Sequence, residues 1–224
     1  MSLILNIDTA LDSASLCLGT DGSAGQTLIN ENQKDHAAWL HPAISQLLKE
    51  NRVALSQLQA VAVSIGPGSY TGLRVGLAAA KGLCYALQIP LITISTLAII
   101  AHAVKEEASD LICPLIDARR MEVFAAVYTR SLEERIPAHA LLVDEHSFAP
   151  LLLSHKILFC GNGSIKLKPL LLDNLQAGFS ATRSNAADLA SLAGQCFENK
   201  EFADSATAEP LYIKEFYTPA ASGK

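Results

Sequence analysis

Two aspartates stand where chemistry could begin. Asp8 closes the apolar run LILNID and Asp117 closes LICPLID, each at the point where a strand enters a polar turn. Thr9 follows the first, and Arg119 and Arg120 follow the second. Two carboxylates facing each other across a cleft could hold a Mg²⁺–nucleotide. The same residues would also serve as turn formers that cap their own hairpins. No glycine opens the turn after Asp117, so a phosphate would meet side chains before it met backbone. Between the two aspartates lies SIGPGSYTGLRVG, Ser64 to Gly76, with glycines, hydroxyls and an arginine running into a helix. Those are the ingredients of a phosphate cradle.

The loop departs from the phosphate-binding patterns it suggests. A Walker loop needs GxxxxGK[ST], and GPGSYTGLR lacks the lysine. A dinucleotide fingerprint needs GxGxxG, but Gly66, Gly68 and Gly72 give GxGxxxG. Pro67 removes an N–H that an anion nest would use. Ser69 and Thr71 still precede the free N–H groups of a helix start, where an anion could sit. The alternative is a tight strand-to-helix turn: Gly66 and Gly68 supply dihedrals other residues avoid, and Ser69 or Thr71 caps the helix. Within that helix Gly72, Gly76, Ala79 or Ala80, and Leu83 fall on adjoining turns and leave a smooth side. Each glycine in a helix interior costs about 0.5–1 kcal/mol relative to alanine. Gly72, Gly76 and Gly82 in one helix therefore imply a close approach, either to the chain's own sheet or to a helix of another subunit. Arg74 is then a solvated side chain or a charged anchor at that contact.

No catalytic signature accompanies these features. HExxH, GxSxG and paired metal histidines are all missing from the sequence. His36 and His41 are five apart and do not share the i,i+4 face a metal needs, His102 stands alone, and His139 and His146 lie in a low-signal stretch. The five cysteines are scattered without a CxxC, and Cys17, Cys84 and Cys113 sit in apolar runs, which reads as buried thiols in a reducing compartment. A formal charge of -5, with 17 basic against 22 acidic residues, gives no nucleic-acid grip. MSLILNIDTA has no basic leader and meets Asp8 at once, and no window of 18 apolar residues occurs, so the expectation is a cytoplasmic chain that does not span a membrane.

The elements that must position these residues follow from periodicity. Half of the 224 residues are hydrophobic, enough for a large core in one domain or two lobes. Leu3 to Ile7 and Ser13 to Gly19 read as paired strands, with a third through TLIN. Leu40, Ile44, Leu47 and Leu48 mark a helix whose start is blurred by Pro42. AVAVSI is a short strand, a helix runs from about Thr71 to Leu87, LITIS is a strand, and TLAIIAHAVKEEA is helical. Leu111 to Arg130 repeats strand, polar turn, strand, in the layout of the first hairpin. HKILFCGNGSIKL reads as strand, glycine turn and helix start, and Ser184 to Lys200 as a capped helix with Leu189, Leu192, Ala193 and Cys196 inward. The tail is apolar and aromatic to Tyr217 and frayed beyond it. The expected class is α/β with mixed sheets flanked by helices. The expected division is residues 1–105, a partner-docking lobe, and 106–224, a second lobe whose tail packs back on the first.

Several stretches resemble one known family. GPGSYTGLRVG resembles the GPGSFTGLRIG signature of the TsaB (YeaZ) family, and AAAKGLCYALQIPLITISTLAIIA resembles the helix, turn and strand that follow it. LILNIDTALDSASLCL is similar to its IDTST…CSVAL start, and LIDARRMEVFAAVY to its PLIDARR-EVY segment. His36 falls on the histidine of the second motif, with Ala37 in place of its serine. GNG, Gly161 to Gly163, and AEPLYIK, Ala208 to Lys214, match as well. The departures are DTAL for DTST and Tyr70 for phenylalanine.

The resemblance implies a two-lobed actin-like (ribonuclease H-like) fold with a degenerate nucleotide site at Asp8, Thr9 and Asp117. It implies a non-catalytic subunit that binds no cofactor or metal alone. The implied partners are a TsaD-like catalytic subunit, which transfers threonylcarbamoyl to adenosine 37 of tRNAs reading codons that begin with A, and a TsaE-like ATPase. ATP and Mg are used by that partner system, tRNA is met only through the complex, and the isolated subunit pairs with itself. The contact residues implied are His36, Leu40, Ile44, Thr71, Gly72, Arg74, Val75, Gly76, Ala79 and Leu83, with Gly66, Pro67, Gly68 and Ser69 shaping the loop. The competing reading is an actin-fold phosphotransferase or ATPase that uses Asp8 and Asp117 itself. A direct tRNA-binding module fits poorly with the acidic balance and the lack of interleaved aromatic and basic residues.

Overall fold

In the computed structural model, which describes residues 2–32 and 35–214, the first strand explains the layering. β1 (Leu3–Asp8) sends Leu5 and Ile7 to one face of its sheet and Ile4 to the other. β4 (Ala60–Ser64) repeats the alternation, with Val61 and Val63 on the first face and Ala60 and Ala62 on the second. This is the period of two that a pleated strand imposes. The first face is covered by α1 (His36–Glu50) and α2 (Tyr70–Leu87), through Leu40, Ile44, Leu47, Leu77 and Ala80. Each such aliphatic side chain contributes about 1.5–3 kcal/mol when taken fully out of water.

β2 (Ala14–Thr20) and β3 (Ser23–Asn30) extend the sheet antiparallel from β1, while β4 and β5 (Leu91–Ile94) extend it parallel, in the order β3-β2-β1-β4-β5. The second sheet uses the same plan. β6 (Leu111–Asp117) pairs antiparallel with β7 (Glu122–Thr129), which pairs with β8 (Glu134–Leu142). On its other side β6 pairs parallel with β9 (Ile157–Cys160), which pairs with β10 (Ala177–Phe179). The likeness between the two aspartate hairpins thus extends to both whole sheets. α3 (Thr96–Ala103) joins them, with Leu97 and Ile100 packing toward β6 and β7 and Ile99 toward β4 and β5. α4 (Ala149–Leu152) and α5 (Ser164–Leu167) are single turns in the second lobe.

Two boundaries differ from the sequence reading. α1 runs straight through Pro42, because the carbonyl that loses its donor belongs to exposed Ala38, where water can replace it. α3 stops at Ala103 instead of continuing to Ala108; Val104 turns inward to the second-sheet cluster, and its N–H bonds Ala101 O at 3.3 Å.

The division at 105/106 also changes. α6 (Ala186–Glu198) lies on the first sheet, where Leu189, Ala190 and Ala193 cover the face that α1 and α2 leave open. Gly194 lets it approach the β2–β3 turn, since a Cβ there would stand 2.3 Å from the Gly22 Cα. The segment after α6 stays on the same lobe: Ala203 bridges Leu91, and Leu211 N–H donates to Ile65 O at 2.7 Å. The first lobe is therefore built from both ends of the chain, and the second sheet is inserted between Leu111 and Phe179. Tyr217 and the rest of the tail past Lys214 fall outside the described residues.

The start of α6 is closed by a reciprocal cap. Asn185 Oδ1 accepts from Ala187 N–H at 2.8 Å, and Asp188 Oδ2 accepts from Asn185 N–H at 3.0 Å. We expect Asn185→Ala to lower stability by about 1 kcal/mol. A urea melt unchanged from that of the parent chain would remove the cap from this account.

Candidate functional site: a closed carboxylate and an open helix face

Asp8 ends β1 with its side chain buried. Its Oδ1 accepts from the Ser64 hydroxyl at 2.7 Å and from Ala10 N–H at 3.1 Å. Burial pushes its carboxyl above the ordinary carboxylate range; the Ser64 and Ala10 bonds oppose that, Asp188 adds to it, and His36 opposes it. Thr9 is buried too, and its hydroxyl donates to Gly72 O at 2.7 Å.

Asp117 ends β6 at the surface. It accepts from Arg119 N–H at 2.6 Å and from Lys166 Nζ at 2.7 Å, and Lys166 also donates to Glu122 O at 2.9 Å. Partial burial raises its pKa, but the Lys166 ammonium and the Arg119 N–H outweigh this and hold it below the usual value. Both carboxylates are thus engaged by neighbours within the chain, Asp8 by Ser64 and Ala10 and Asp117 by Arg119 and Lys166. A cavity of about 430 Å³ does lie between the lobes, lined by Asp12, Ile100, Asn162, Lys168, Phe179 and Arg183 among others. Asp8, Thr9 and Asp117 do not line it. Among the described residues no group of three or more His, Cys, Asp or Glu side chains could hold a metal ion.

In the glycine loop the N–H groups of Gly66, Ser69 and Gly72 are taken within the chain. Gly66 has φ +110°, a conformation that suits only glycine, and its N–H donates to Thr96 Oγ1 at 3.1 Å. Ser69 N–H donates to Ala10 O at 2.7 Å, and Ser69 Oγ caps α2 by accepting from Gly72 N–H at 3.3 Å. Gly68 presses so closely on the β1–β2 turn that a Cβ would stand 2.3 Å from Ala10 O. Those three donors are not available to an anion outside.

The same proximity answers what the helix glycines approach. A Cβ on Gly72 would stand 2.0 Å from Thr9 O, and one on Gly76 2.3 Å from Thr9 Oγ1. The smooth side of α2 therefore seats the chain's own Thr9–Ala10 turn. His36, Leu40, Ile44, Gly72, Gly76 and Ala79 are buried in the lobe. His36 holds Leu11 O through Nε2 at 3.3 Å, and its role is to anchor the start of α1 on the β1–β2 turn. Thr71 and Arg74 are exposed, and Val75 and Leu83 are half-buried.

What α2 does show to solvent is a second stripe. Thr71, Arg74, Ala78, Gly82 and Tyr85 are all exposed and recur at intervals of three and four residues, so they share one side. Nothing lies within 4 Å of a Cβ built on Gly82, and Tyr85 is 79% exposed. Beside the stripe, Ile44 and Leu48 of α1, Leu55 and Leu83 line a groove of about 410 Å³ between the helices. Ala78 and Tyr85 were not singled out from the sequence; Gly82 was, as one of three helix glycines implying a close approach, and no atom lies within 4 Å of its Cβ position. The signal for Ala78 and Tyr85 was Gly82, which does not fall in the Gly72–Gly76 register.

Two similar five-stranded mixed sheets, joined by a helix and flanked by helices, define the two-lobed actin-like class of chain. Here Asp8 and Asp117 are bonded to residues of their own lobes. A family model described as "TsaD: tRNA N6-adenosine threonylcarbamoyltransferase" matches residues 29–208. The tRNA threonylcarbamoyladenosine biosynthesis protein TsaB of Bacillus subtilis (strain 168) is 29% identical over 94% of this chain and 93% of its own length. The protein of the same name from Escherichia coli (strain K12) is 34% identical, over 57% of this chain and 55% of its own. The solved structure of YeaZ from Pseudomonas aeruginosa superposes with a TM-score of 0.79 at 31% identity, covering 95% of this chain and all of that one. The chain belongs to the TsaB (YeaZ) family, within the wider group that the transferase model describes. None of its described helices is long and apolar enough to cross a membrane.

Proposed function

We propose that this chain is a non-catalytic subunit in the formation of threonylcarbamoyladenosine at position 37 of tRNA, and that it docks a TsaD-type catalytic subunit through the exposed side of α2 and the adjoining α1 groove. The observation that carries the reading is the state of Asp8: the carboxylate best placed for nucleotide chemistry is buried, bonded to Ser64 and Ala10, and away from the interlobe cavity. α2, by contrast, exposes small residues at Ala78 and Gly82, which allow close helix approach, with an aromatic anchor at Tyr85. Without its partner, the same face pairs two copies of the chain. A TsaE-type ATPase supplies the ATP and Mg chemistry, and tRNA is engaged only by the assembly.

The test is co-purification with the TsaD-type subunit of the same cell, followed by a tRNA modification assay omitting each subunit in turn. We expect no modified tRNA from this chain alone, with ATP, bicarbonate and threonine supplied. Tyr85→Asp should weaken the complex by about tenfold or more while leaving the thermal midpoint unchanged, because the ring is a solvated anchor in the free chain. Modification by the isolated chain, or micromolar Mg-ATP binding to it by calorimetry, would support an independent enzyme instead.

A further inference from the structure

The exposed stripe of α2 ends in a cluster that the tail completes. Arg74 lies with its guanidinium carbon 4.0 Å from the centroid of the Tyr70 ring and 6.0 Å from that of Tyr212. Its Nε donates to the Tyr212 hydroxyl at 2.9 Å. The two rings tilt toward each other with centroids 5.8 Å apart. Tyr212 is 138 residues away from Arg74 in the chain, and a series of bonds brings it there. Lys81 of α2 donates to the carbonyls of Ala206 and Ala208 at 3.3 and 3.1 Å, and Leu211 N–H bonds Ile65 O. Lys214, just beyond, pairs with Glu122 of the second lobe. A guanidinium free of such contacts samples many rotamers at a surface; this one is fixed while remaining exposed.

We infer that Tyr212 is a positioning residue for docking: it holds the Arg74 guanidinium against Tyr70 so that the outer edge of the fork meets a carboxylate on the partner. The planar guanidinium offers five donors; Tyr212 takes Nε and Tyr70 is a second hydrogen-bond partner, and the N–H groups left over form the edge suited to a carboxylate. Ordering the fork before the encounter removes part of the entropy that binding would otherwise lose. The occupant is thus an acidic side chain on the partner's docking face. The inference rests on the docking surface proposed above and adds the tail to it.

The experiment is a double-mutant cycle at two salt concentrations, read as affinity for the TsaD-type subunit. Arg74→Ala, Tyr212→Ala, the pair, and Tyr212→Phe are compared with Tyr85→Asp as a marker of the face. Tyr212→Ala should weaken binding about three- to tenfold and flatten its salt dependence, in line with a cation–π contact and a charge-assisted pair at a rim. Tyr212→Phe removes the hydroxyl that accepts from Arg74 Nε and should lose nearly as much as Tyr212→Ala. In the Arg74→Ala background, Tyr212→Ala should change affinity by less than about twofold, because the two act through one contact. Equal losses with and without Arg74, or no loss from Tyr212→Ala while Arg74→Ala and Tyr85→Asp both weaken binding, overturn the positioning role alone. Unchanged affinity in both Arg74→Ala and Tyr85→Asp overturns the docking face and this inference with it.

Discussion

Gly72→Ala is expected to destabilise the first lobe severely, and Gly82→Ala, ten residues along the same helix, to stabilise it. The added methyl at Gly72 would stand 2.0 Å from Thr9 O, a backbone atom that cannot swing aside. Thr9 is itself fixed by its bond to Gly72 O and by the strand that ends at Asp8. Relief requires α2 to move off β1, which opens the core shared by Leu5, Ile7, Val61 and Leu77. Overpacking of a rigid site costs about 1–3 kcal/mol and occasionally more, and this one belongs at the upper end. For a chain of this size that is a fall of about 6–12 °C in thermal midpoint. Gly76→Leu should behave similarly, because its Cβ meets Thr9 Oγ1 at 2.3 Å. At Gly82 the methyl meets nothing, so alanine should gain about 0.5–1 kcal/mol from helix propensity. Calorimetry of the three variants decides the matter. A Gly72→Ala protein as stable as its parent would show that the close contact with Thr9 does not constrain the helix.

The second large effect is expected at Asp8, and its sign is set by burial. The folded chain holds the Asp8 proton more tightly than the unfolded chain, whose aspartate titrates near 3.8. Its contribution to stability is therefore full below that value, falls as pH rises toward the folded pKa, and is flat above it. Asn at this position can still accept from Ser64 and Ala10, and carries no charge to desolvate. Asp8→Asn should abolish that falling limb and leave the protein at least as stable at pH 7. Asp8→Ala leaves a buried N–H and a buried hydroxyl without their acceptor, each costing about 1–3 kcal/mol. Urea melts from pH 4 to 8 read both outcomes. If Asn proved as damaging as Ala, the negative charge itself would be needed, and a cation-binding role for Asp8 would return.

The sequence was most informative where one residue's chemistry dictated its neighbourhood. The apolar runs LILNID and AVAVS, each bounded by turn residues, marked two strands of the first sheet, and the spacing of Gly72 and Gly76 signalled a close approach that the structure contains. It could not say which body came close, because a backbone carbonyl of Thr9 and a foreign helix would ask for the same missing side chain. β8 was missed because ERIPAHALL carries a proline and little alternation; Pro137 is tolerated there only because β8 is an edge strand. β10 is three residues long and has no pattern to display. α6 was legible as a helix, with its cap and stripe, but not as part of the first lobe. An amphipathic stripe states that it will be covered and is silent about by what. Tyr212 was hidden for a related reason, since its partner Arg74 lies on another element and no local rule links them.

The return of α6 to the first sheet has a consequence for synthesis on the ribosome. β1, β2 and β3 are made long before α6, yet the face they share with Leu189 and Ala193 stays uncovered until α6 has left the exit tunnel. The inserted sheet is made while the nascent first lobe still has this apolar surface exposed. Contacts between such distant parts of a chain form late and leave partly folded species open to aggregation. Emergence of α6, rather than completion of the glycine helix, is then the event that lets the first lobe close.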